Sequence, residues 1–170
     1  LVFDFTGGLW FTDHGGYETN GLLYGALFYT RLDGSPPTPV RKRLISPNGV
    51  GLSPDEKSIL FSETVTGRLW SFPLDSPGKI SKSAASKGRV LATLQENQQF
   101  DSLAIEADGR VCVATIGKGG ISIVDQMGNI DFVPLPDPMV TNIAFGGSDM
   151  RDVWITGSRT GTLFKAVSYT

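Results

Sequence analysis

The segment Gly49-Val-Gly-Leu-Ser-Pro-Asp-Glu-Lys-Ser-Ile-Leu-Phe-Ser62 is the clearest indication of how this chain folds. A short strand of small and apolar residues leads into a Ser-Pro-Asp turn, and a second apolar strand follows and ends in a hydroxyl residue. Two short strands joined by a tight turn are typical of antiparallel sheets. This pattern is informative about the fold because it recurs along the chain.

The same order of strand, Asp- or Gly-containing turn and strand occurs in three further copies, Leu1–Thr12, Leu103–Thr115 and Ile143–Thr156. After three of the four copies a third strand follows a Gly-containing turn, as in Gly67-Arg-Leu-Trp-Ser-Phe72. The spacing of about 40–50 residues is that of a β-propeller blade built from four strands. The sequence therefore predicts an all-β chain made of about four antiparallel propeller blades.

A β-sandwich is the alternative fold, because it also needs many short strands separated by turns. A sandwich does not require one order of strand and turn to recur, so the repeats favour the propeller. Closed propellers have about 4–8 blades, and each blade buries its faces against its neighbours. The first repeat opens without a lead-in and the last lacks a fourth strand. We therefore expect residues 1–170 to form one partial propeller domain that missing N-terminal blades or a second chain complete.

The composition narrows the chemistry that such a domain can perform. With 15 Lys and Arg against 17 Asp and Glu, the net charge is −2 and no nucleic-acid surface is expected. No apolar run reaches the roughly 18 residues of a membrane span. The single Cys112 and the single His14 exclude disulfides and the common zinc sites. Carboxylates, amides and hydroxyls must therefore carry any activity.

Other residues have simpler structural interpretations. Cys112 alternates with apolar neighbours, which predicts a buried, unreactive thiol, and a lone thiol also favours the cytoplasm over an oxidising compartment. Trp10, Trp70 and Trp154 occupy strand positions and are expected in the core. One of the candidate strands spans Leu23–Leu32.

Aligning the repeats places Asn48, Asp101 and Thr141 at one position, just before the inner strand of consecutive blades. The innermost strands of a propeller line its central channel, so polar side chains at one level converge on the axis. Amide and carboxylate oxygens are ligands that a hard cation such as Ca²⁺ takes. Each residue can equally form a turn, as Asn48 between Pro47 and Gly49 shows. On the residues alone, both interpretations stay open.

Five motifs occur in a fixed order over nearly the whole chain. They are Gly8-Leu-Trp-Phe-Thr-Asp-His-Gly15, Pro47-Asn-Gly-Val-Gly-Leu-Ser-Pro-Asp55, Glu63-Thr-Val-Thr-Gly-Arg-Leu-Trp70, Phe100-Asp-Ser-Leu-Ala-Ile-Glu-Ala-Asp-Gly109 and Thr141-Asn-Ile-Ala-Phe-Gly-Gly147. Together they resemble the senescence-marker-protein/gluconolactonase/luciferin-regenerating-enzyme-like family of six-bladed propeller lactonases. The resemblance implies that the chain supplies about four blades of a six-bladed ring. It also implies a hydrolase that opens a sugar lactone or a related cyclic ester.

The resemblance further implies a divalent metal on the channel axis, Ca²⁺ or alternatively Zn²⁺. Asn48 matches the family's metal-binding asparagine in a Pro-Asn-Gly motif, and Asp101 matches the aspartate that binds the metal and serves as acid and base. The family's metal-binding glutamate and a second asparagine would fall upstream of this chain. Loops over the same mouth would bind the substrate, with His14, Tyr17 and Thr141 as candidates.

In this interpretation the metal polarises the lactone carbonyl and Asp101 acts as the general base. Two alternatives stay open. The incomplete ligand set suits a propeller that binds ligands or proteins without catalysis. A strictosidine-synthase-like propeller shares features of the inner strands, although the Pro47-Asn-Gly49 and Phe100-Asp-Ser102 motifs favour the lactonase.

Overall fold

The computed structural model describes residues 1–19, 21–83 and 88–168. Within these ranges the regular structure is entirely β, and no helix is long and apolar enough to cross a membrane. The strands are β1 (Val2–Phe3), β2 (Gly8–Asp13), β3 (Gly16–Glu18), β4 (Gly21–Leu23), β5 (Gly25–Arg31), β6 (Thr38–Leu44), β7 (Pro47–Leu52), β8 (Ser58–Glu63), β9 (Arg68–Ser76), β10 (Lys79–Ile80), β11 (Arg89–Thr93), β12 (Gln99–Ile105), β13 (Val111–Ile116), β14 (Gly120–Val124), β15 (Ile130–Pro134), β16 (Val140–Gly146), β17 (Asp152–Gly157) and β18 (Thr162–Val167).

Four antiparallel sheets follow one another along the chain, and we number them blades 1 to 4. Their strand orders are β1-β2-β5-β6, β7-β8-β9 with β10 and β11 both pairing with β9, β12-β13-β14-β15, and β16-β17-β18. The first strand of each sheet, β1, β7, β12 or β16, is its inner strand. This arrangement confirms the predicted series of four antiparallel propeller blades.

Apolar side chains hold adjacent blades together, with one cluster at each of the three interfaces. Fully buried members of the clusters are Trp10, Leu27, Ile59, Phe61, Leu69, Phe100, Val113, Ala114, Val124 and Val140. Strand β13 shows the principle, because Val113 faces blade 2 while Ala114 faces blade 4. A strand that is buried on both faces has a nearly continuous run of apolar residues, whose side chains alternate between the two faces.

Two expectations about the first and last blades are wrong. The predicted strand Leu23–Leu32 is interrupted, because Leu23 ends β4 of the small β3–β4 hairpin and Gly25 begins β5. Trp10 is buried as expected, but Trp154 is 39% exposed. Its neighbours Val153 and Ile155 pack against blade 3, so the Trp154 side chain lies on the opposite face of blade 4. No blade formed by the described residues packs against that face.

Each inner strand from blade 2 onward is irregular at the same place. In β7 the pairing with β8 shifts between Pro47 and Val50, so that Asn48 and Gly49 together oppose Ser62. Strands β12 and β16 shift at the equivalent position. An extra residue of this kind is a β-bulge, which bends the strand and redirects its side chains.

These bulges correct the predicted placement of three residues. Asn48, Asp101 and Thr141 lie inside their inner strands, not just before them. The apolar residue that precedes each one already pairs with the next strand, as Phe100 does with Thr115. The bulge lets a polar residue interrupt the strand without ending it.

The inner strands of blades 2 and 3 approach closely at their bulges. A Cβ atom on Gly49 would lie 2.6 Å from the backbone nitrogen of Leu103 and 2.9 Å from the backbone oxygen of Asp101. Both atoms belong to the neighbouring blade. Glycine is required here for proximity between backbones.

We expect Gly49→Ala to lower the free energy of unfolding by about 1–3 kcal/mol, because the added methyl group must push two inner strands apart. Gly146→Ala in β16 is the matched control. Its Cβ would have no neighbour nearer than 3.9 Å, and neither glycine has a positive φ. Urea unfolding followed by circular dichroism measures both variants, and equal losses would contradict the assigned role of Gly49.

Cys112 is 3% exposed, as predicted for a buried thiol, and burial raises the pKa of this thiol to about 12. Only about 10⁻⁴ of the thiol is ionised at pH 8 in the folded state, and the thiolate is the reactive form. We therefore expect negligible labelling by a thiol-specific disulfide reagent in buffer and rapid labelling in urea. Rapid reaction of the folded protein would contradict this placement.

Candidate functional site

A pair of polar side chains lies where the inner strands of blades 2 and 3 begin. Asn48 in β7 and Asp101 in β12 are each half-buried, and the Asn48 side chain lies within hydrogen-bonding reach of the Asp101 carboxyl, where it lowers the pKa of that carboxyl. The amide nitrogen of Asn48 also donates to Thr64 Oγ1 at 3.2 Å. Because the nitrogen is the donor of the amide and is used by Thr64, the amide oxygen is the atom that remains for a cation.

Hydroxyl groups of the preceding blade hold the backbone of both residues. Ser62 Oγ donates to the backbone oxygen of Asp101 at 2.6 Å, and Thr12 Oγ1 donates to the backbone oxygen of Asn48. Neither residue is among those predicted for the site. Their signal is nevertheless visible in the sequence, since the first two repeats end in Thr12 and Ser62 at equivalent positions.

The electrostatic state of Asp101 is set mainly by burial. Loss of solvent raises the pKa of its carboxyl above the ordinary value, and the hydrogen bond from Asn48, the nearby charge of His14 and the backbone N–H of Ser102 act in the opposite direction. A carboxylate that is poorly solvated gains more than an exposed one from a cation or from a proton. The site can therefore bind positive charge or accept a proton.

One of the three substrate-binding candidates, His14, lies within electrostatic range of Asp101. His14 lies in the connection between β2 and β3, exposed to solvent and close enough for its charge to act on Asp101. Tyr17 extends into solvent from the β3–β4 hairpin, 70% exposed. Its contribution to the site stays a prediction.

Thr141 occupies the equivalent bulge in blade 4 but is engaged within its own blade. Its hydroxyl lies 3.0 Å from Thr156 Oγ1 and 2.7 Å from Ser158 Oγ. The inner strand of blade 4 thus presents a cluster of hydroxyl groups, where the inner strands of blades 2 and 3 present an amide and a carboxylate.

The donor set on the described residues fits a hard cation in part. No three His, Cys, Asp or Glu side chains form a metal cluster within residues 1–19, 21–83 and 88–168. Asn48 and Asp101 offer one amide and one carboxylate oxygen side by side, and Ca²⁺ takes about 6–8 oxygen ligands. The other ligands would come from water, from substrate or from further blades.

Comparison with curated proteins identifies relatives in staphylococci. Lactonase drp35 of Staphylococcus haemolyticus is 34% identical over 128 residues, which is 75% of this chain and 38% of that protein. Lactonase drp35 of Staphylococcus aureus is 33% identical over the same length. The chain thus spans 38% of the length of these relatives.

Solved structures share the fold at lower sequence identity. A luciferin-regenerating enzyme superimposes with a TM-score of 0.81 at 21% identity, covering 98% of this chain and 60% of its own. A gluconolactonase of Xanthomonas campestris gives 0.73 at 22% identity, with 91% and 52% covered. The calcium-binding protein regucalcin of Agrobacterium tumefaciens gives 0.77 at 21% identity, with 94% and 57% covered.

A sequence profile matches almost the whole length of the chain. It covers residues 1–159 and is described as the SMP-30/Gluconolactonase/LRE-like region. The match runs from blade 1 into blade 4, ending before β18, and includes both bulges of the polar pair. The chain therefore belongs to the SMP-30/gluconolactonase/LRE-like family, as its motifs predicted.

Proposed function

We propose that the protein carrying this chain is a metal-dependent hydrolase that opens a sugar lactone or a related cyclic ester. The observation that carries the proposal is the pair formed by the Asn48 amide and the Asp101 carboxylate, delivered by adjacent inner strands to one end of the blades. Family membership and relatives named as lactonases support the same reaction class.

Asn48 and Asp101 are the residues that would hold a divalent cation, and their oxygen atoms favour Ca²⁺ over Zn²⁺. The calcium-binding regucalcin among the structural neighbours supports this choice. When bound, such a cation supplies Lewis-acid polarisation of a carbonyl and lowers the pKa of a coordinated water.

Asp101 is the proposed general base. Its carboxylate accepts a proton from the attacking water as the water oxygen adds to the lactone carbonyl, and the proton passes to the ring oxygen when the carbon–oxygen bond breaks. Burial raises the pKa of Asp101, which makes it a stronger base than an exposed carboxylate. Asn48 stays neutral and orients the carboxylate through its amide hydrogen bond.

Hydroxyl-bearing substrate groups would meet His14, Tyr17 and Thr141 around the same mouth. Imidazole, phenol and hydroxyl groups each donate and accept hydrogen bonds, which suits a polyol without a charge of its own. The hydroxyl cluster around Thr141 lies at the bulge next along from Asp101. We therefore assign these three residues to substrate binding.

The second candidate function is a propeller that binds ligands without catalysis. The two-oxygen donor set on the described residues favours it, because so few ligands from one chain would bind a cation weakly. The two functions differ in what a cation does: it supports turnover in a lactonase and only occupancy in a binding module. A titration with Ca²⁺ combined with an activity assay separates them.

We expect the full-length protein to hydrolyse glucono-δ-lactone and to lose this activity when a chelator removes the metal. Asp101→Asn should lower kcat/KM by about 10²–10⁴-fold, because the variant cannot accept the proton. Asp131→Asn is the matched control, since it removes the same charge from an exposed position of the outer strand β15. Chelator-resistant hydrolysis, or full turnover by Asp101→Asn, would contradict the mechanism, and Ca²⁺ binding without hydrolysis would favour the binding module.

We also propose that further blades close the ring, with a second copy of the chain as the alternative. The outer face of blade 4 exposes Trp154, Leu163 and Val167 by 39%, 60% and 54%. On blade 1 Phe3 is 53% exposed. Apolar faces of this kind are what neighbouring blades cover in a propeller.

In the full-length protein, Leu163→Glu should therefore lower the free energy of unfolding by about 1–3 kcal/mol, because the carboxylate would be buried against a neighbour. Met127→Glu is the control, at a residue that is 82% exposed in the turn after β14 and should change stability by less than about 0.5 kcal/mol. Light scattering distinguishes a monomer closed by its own blades from a dimer. Equal stability of the two variants would contradict burial of this face.

A further inference from the structure

We propose that Thr12 and Ser62 are positioning residues that lock the two bulges and so aim Asn48 and Asp101 at a common cation. We name this pair the hydroxyl clamp. The inference rests on the proposed function, because its purpose is to present metal ligands. Neither hydroxyl belongs to the pair that would touch the cation.

The contacts repeat from one blade interface to the next. Ser62 in β8 of blade 2 donates to the backbone oxygen of Asp101 in blade 3, at 2.6 Å. Thr12 in β2 of blade 1 donates to the backbone oxygen of Asn48 in blade 2. In both cases a hydroxyl on the second strand of one blade reaches the bulge on the inner strand of the next. A contact that recurs at equivalent positions reflects the design of the repeat.

Burial explains why the bulged backbone needs this donor. A bulge interrupts the ladder of its own blade, and a backbone carbonyl away from water requires a hydrogen-bond partner. Ser62 is 0% exposed and sits between the apolar residues Phe61 and Leu69 of its strand pair. A serine in such surroundings is unfavourable unless its hydroxyl is used. Here the hydroxyl donates to the backbone oxygen of Asp101.

The third interface provides a contrast within the same molecule. The position that corresponds to Ser62 in blade 3 is Ala114, which has no hydroxyl. The bulge residue that follows is Thr141, whose own hydroxyl bonds to Thr156 and Ser158 of blade 4. The clamp is thus present where a bulge presents an amide or a carboxylate, and absent where it presents a hydroxyl already paired in its own blade.

Loss of the hydroxyl clamp should change the orientation of the Asn48 and Asp101 side chains more than it changes the fold as a whole. Without the Ser62 hydroxyl, the backbone oxygen of Asp101 loses its donor and the bulge can relax towards regular pairing with β13. Because side chains alternate between the two faces of a strand, even a small change of register at a bulge turns the Asp101 carboxylate away from Asn48. We therefore expect weaker metal binding without unfolding.

The test compares Ca²⁺ affinity of Ser62→Ala and Thr12→Val with that of the parent by titration calorimetry on the full-length protein. Residues that orient ligands typically change metal affinity by about 10–100-fold, so we expect a Kd raised at least tenfold in each variant. Ser62→Thr and Thr12→Ser retain the hydroxyl and should restore the affinity.

Ser122→Ala is the matched control for Ser62→Ala. Ser122 is 1% exposed, and its hydroxyl lies 2.7 Å from Thr115 Oγ1 within blade 3, so it bonds to a side chain of its own blade instead of to the backbone of a bulge. Thr115 keeps its bond to the backbone oxygen of Val113 in this variant. The control should lower thermal stability about as much as Ser62→Ala does while leaving the Ca²⁺ Kd within twofold.

A readout without metal separates this inference from the proposed function. In chelator, backbone amide resonances around Asp101 and Asn48 should shift in the clamp variants and stay in place in Ser122→Ala. If the parent binds no Ca²⁺, the proposed function fails, and those shifts alone decide whether the clamp positions the bulges. Unshifted resonances, or a Kd that changes equally in Ser62→Ala and Ser122→Ala, would overturn the inference.

Discussion

The close approach of two inner strands is the constraint on which the rest of this structure depends. Gly49 lets the backbone of blade 2 lie against the backbone of blade 3, where any side chain would meet Leu103 and Asp101. That contact brings the Asn48 amide to the Asp101 carboxylate. A wider spacing between the strands would leave each polar group alone at the end of its own blade.

The polar pair exists because apolar packing and cross-blade hydrogen bonds act together. Three buried clusters press the blades against one another, but such clusters are non-directional and specify proximity alone. The hydroxyls of Thr12 and Ser62 add direction, because each joins one blade to the backbone of the next at a single atom. The raised pKa of Asp101 follows from the same packing, because the loss of hydration raises the pKa of the carboxyl more than the neighbouring groups lower it.

Much of the fold was predictable because the blade is a local unit that the sequence writes four times. The order of strands within a blade depends on short turns between strands that are neighbours in sequence. The strand that is buried on both sides is recognisable as the apolar run at Val111–Ile116. The bulges were not predictable in the same way. From the sequence, Asn48-Gly49 is typical of a turn. It is a bulge because the residues on both sides, Pro47 and Val50, pair with β8. Trp154 was likewise predicted to be in the core, because the sequence of a strand does not show what packs against each of its faces.

The fold class, the four blades of this chain and the polar residues at the start of their inner strands follow from the sequence, since periodicity, turn chemistry and the repeated motifs are local properties. Tertiary structure alone decided that Asn48 and Asp101 meet and that Thr141 turns to hydroxyls of its own blade. It also decided that the Ser62 hydroxyl reaches the backbone oxygen of Asp101 in the next blade. These contacts join residues about 15 to 50 positions apart, and hydrogen bonds over such separations follow from how the strands and blades pack, which no local pattern encodes.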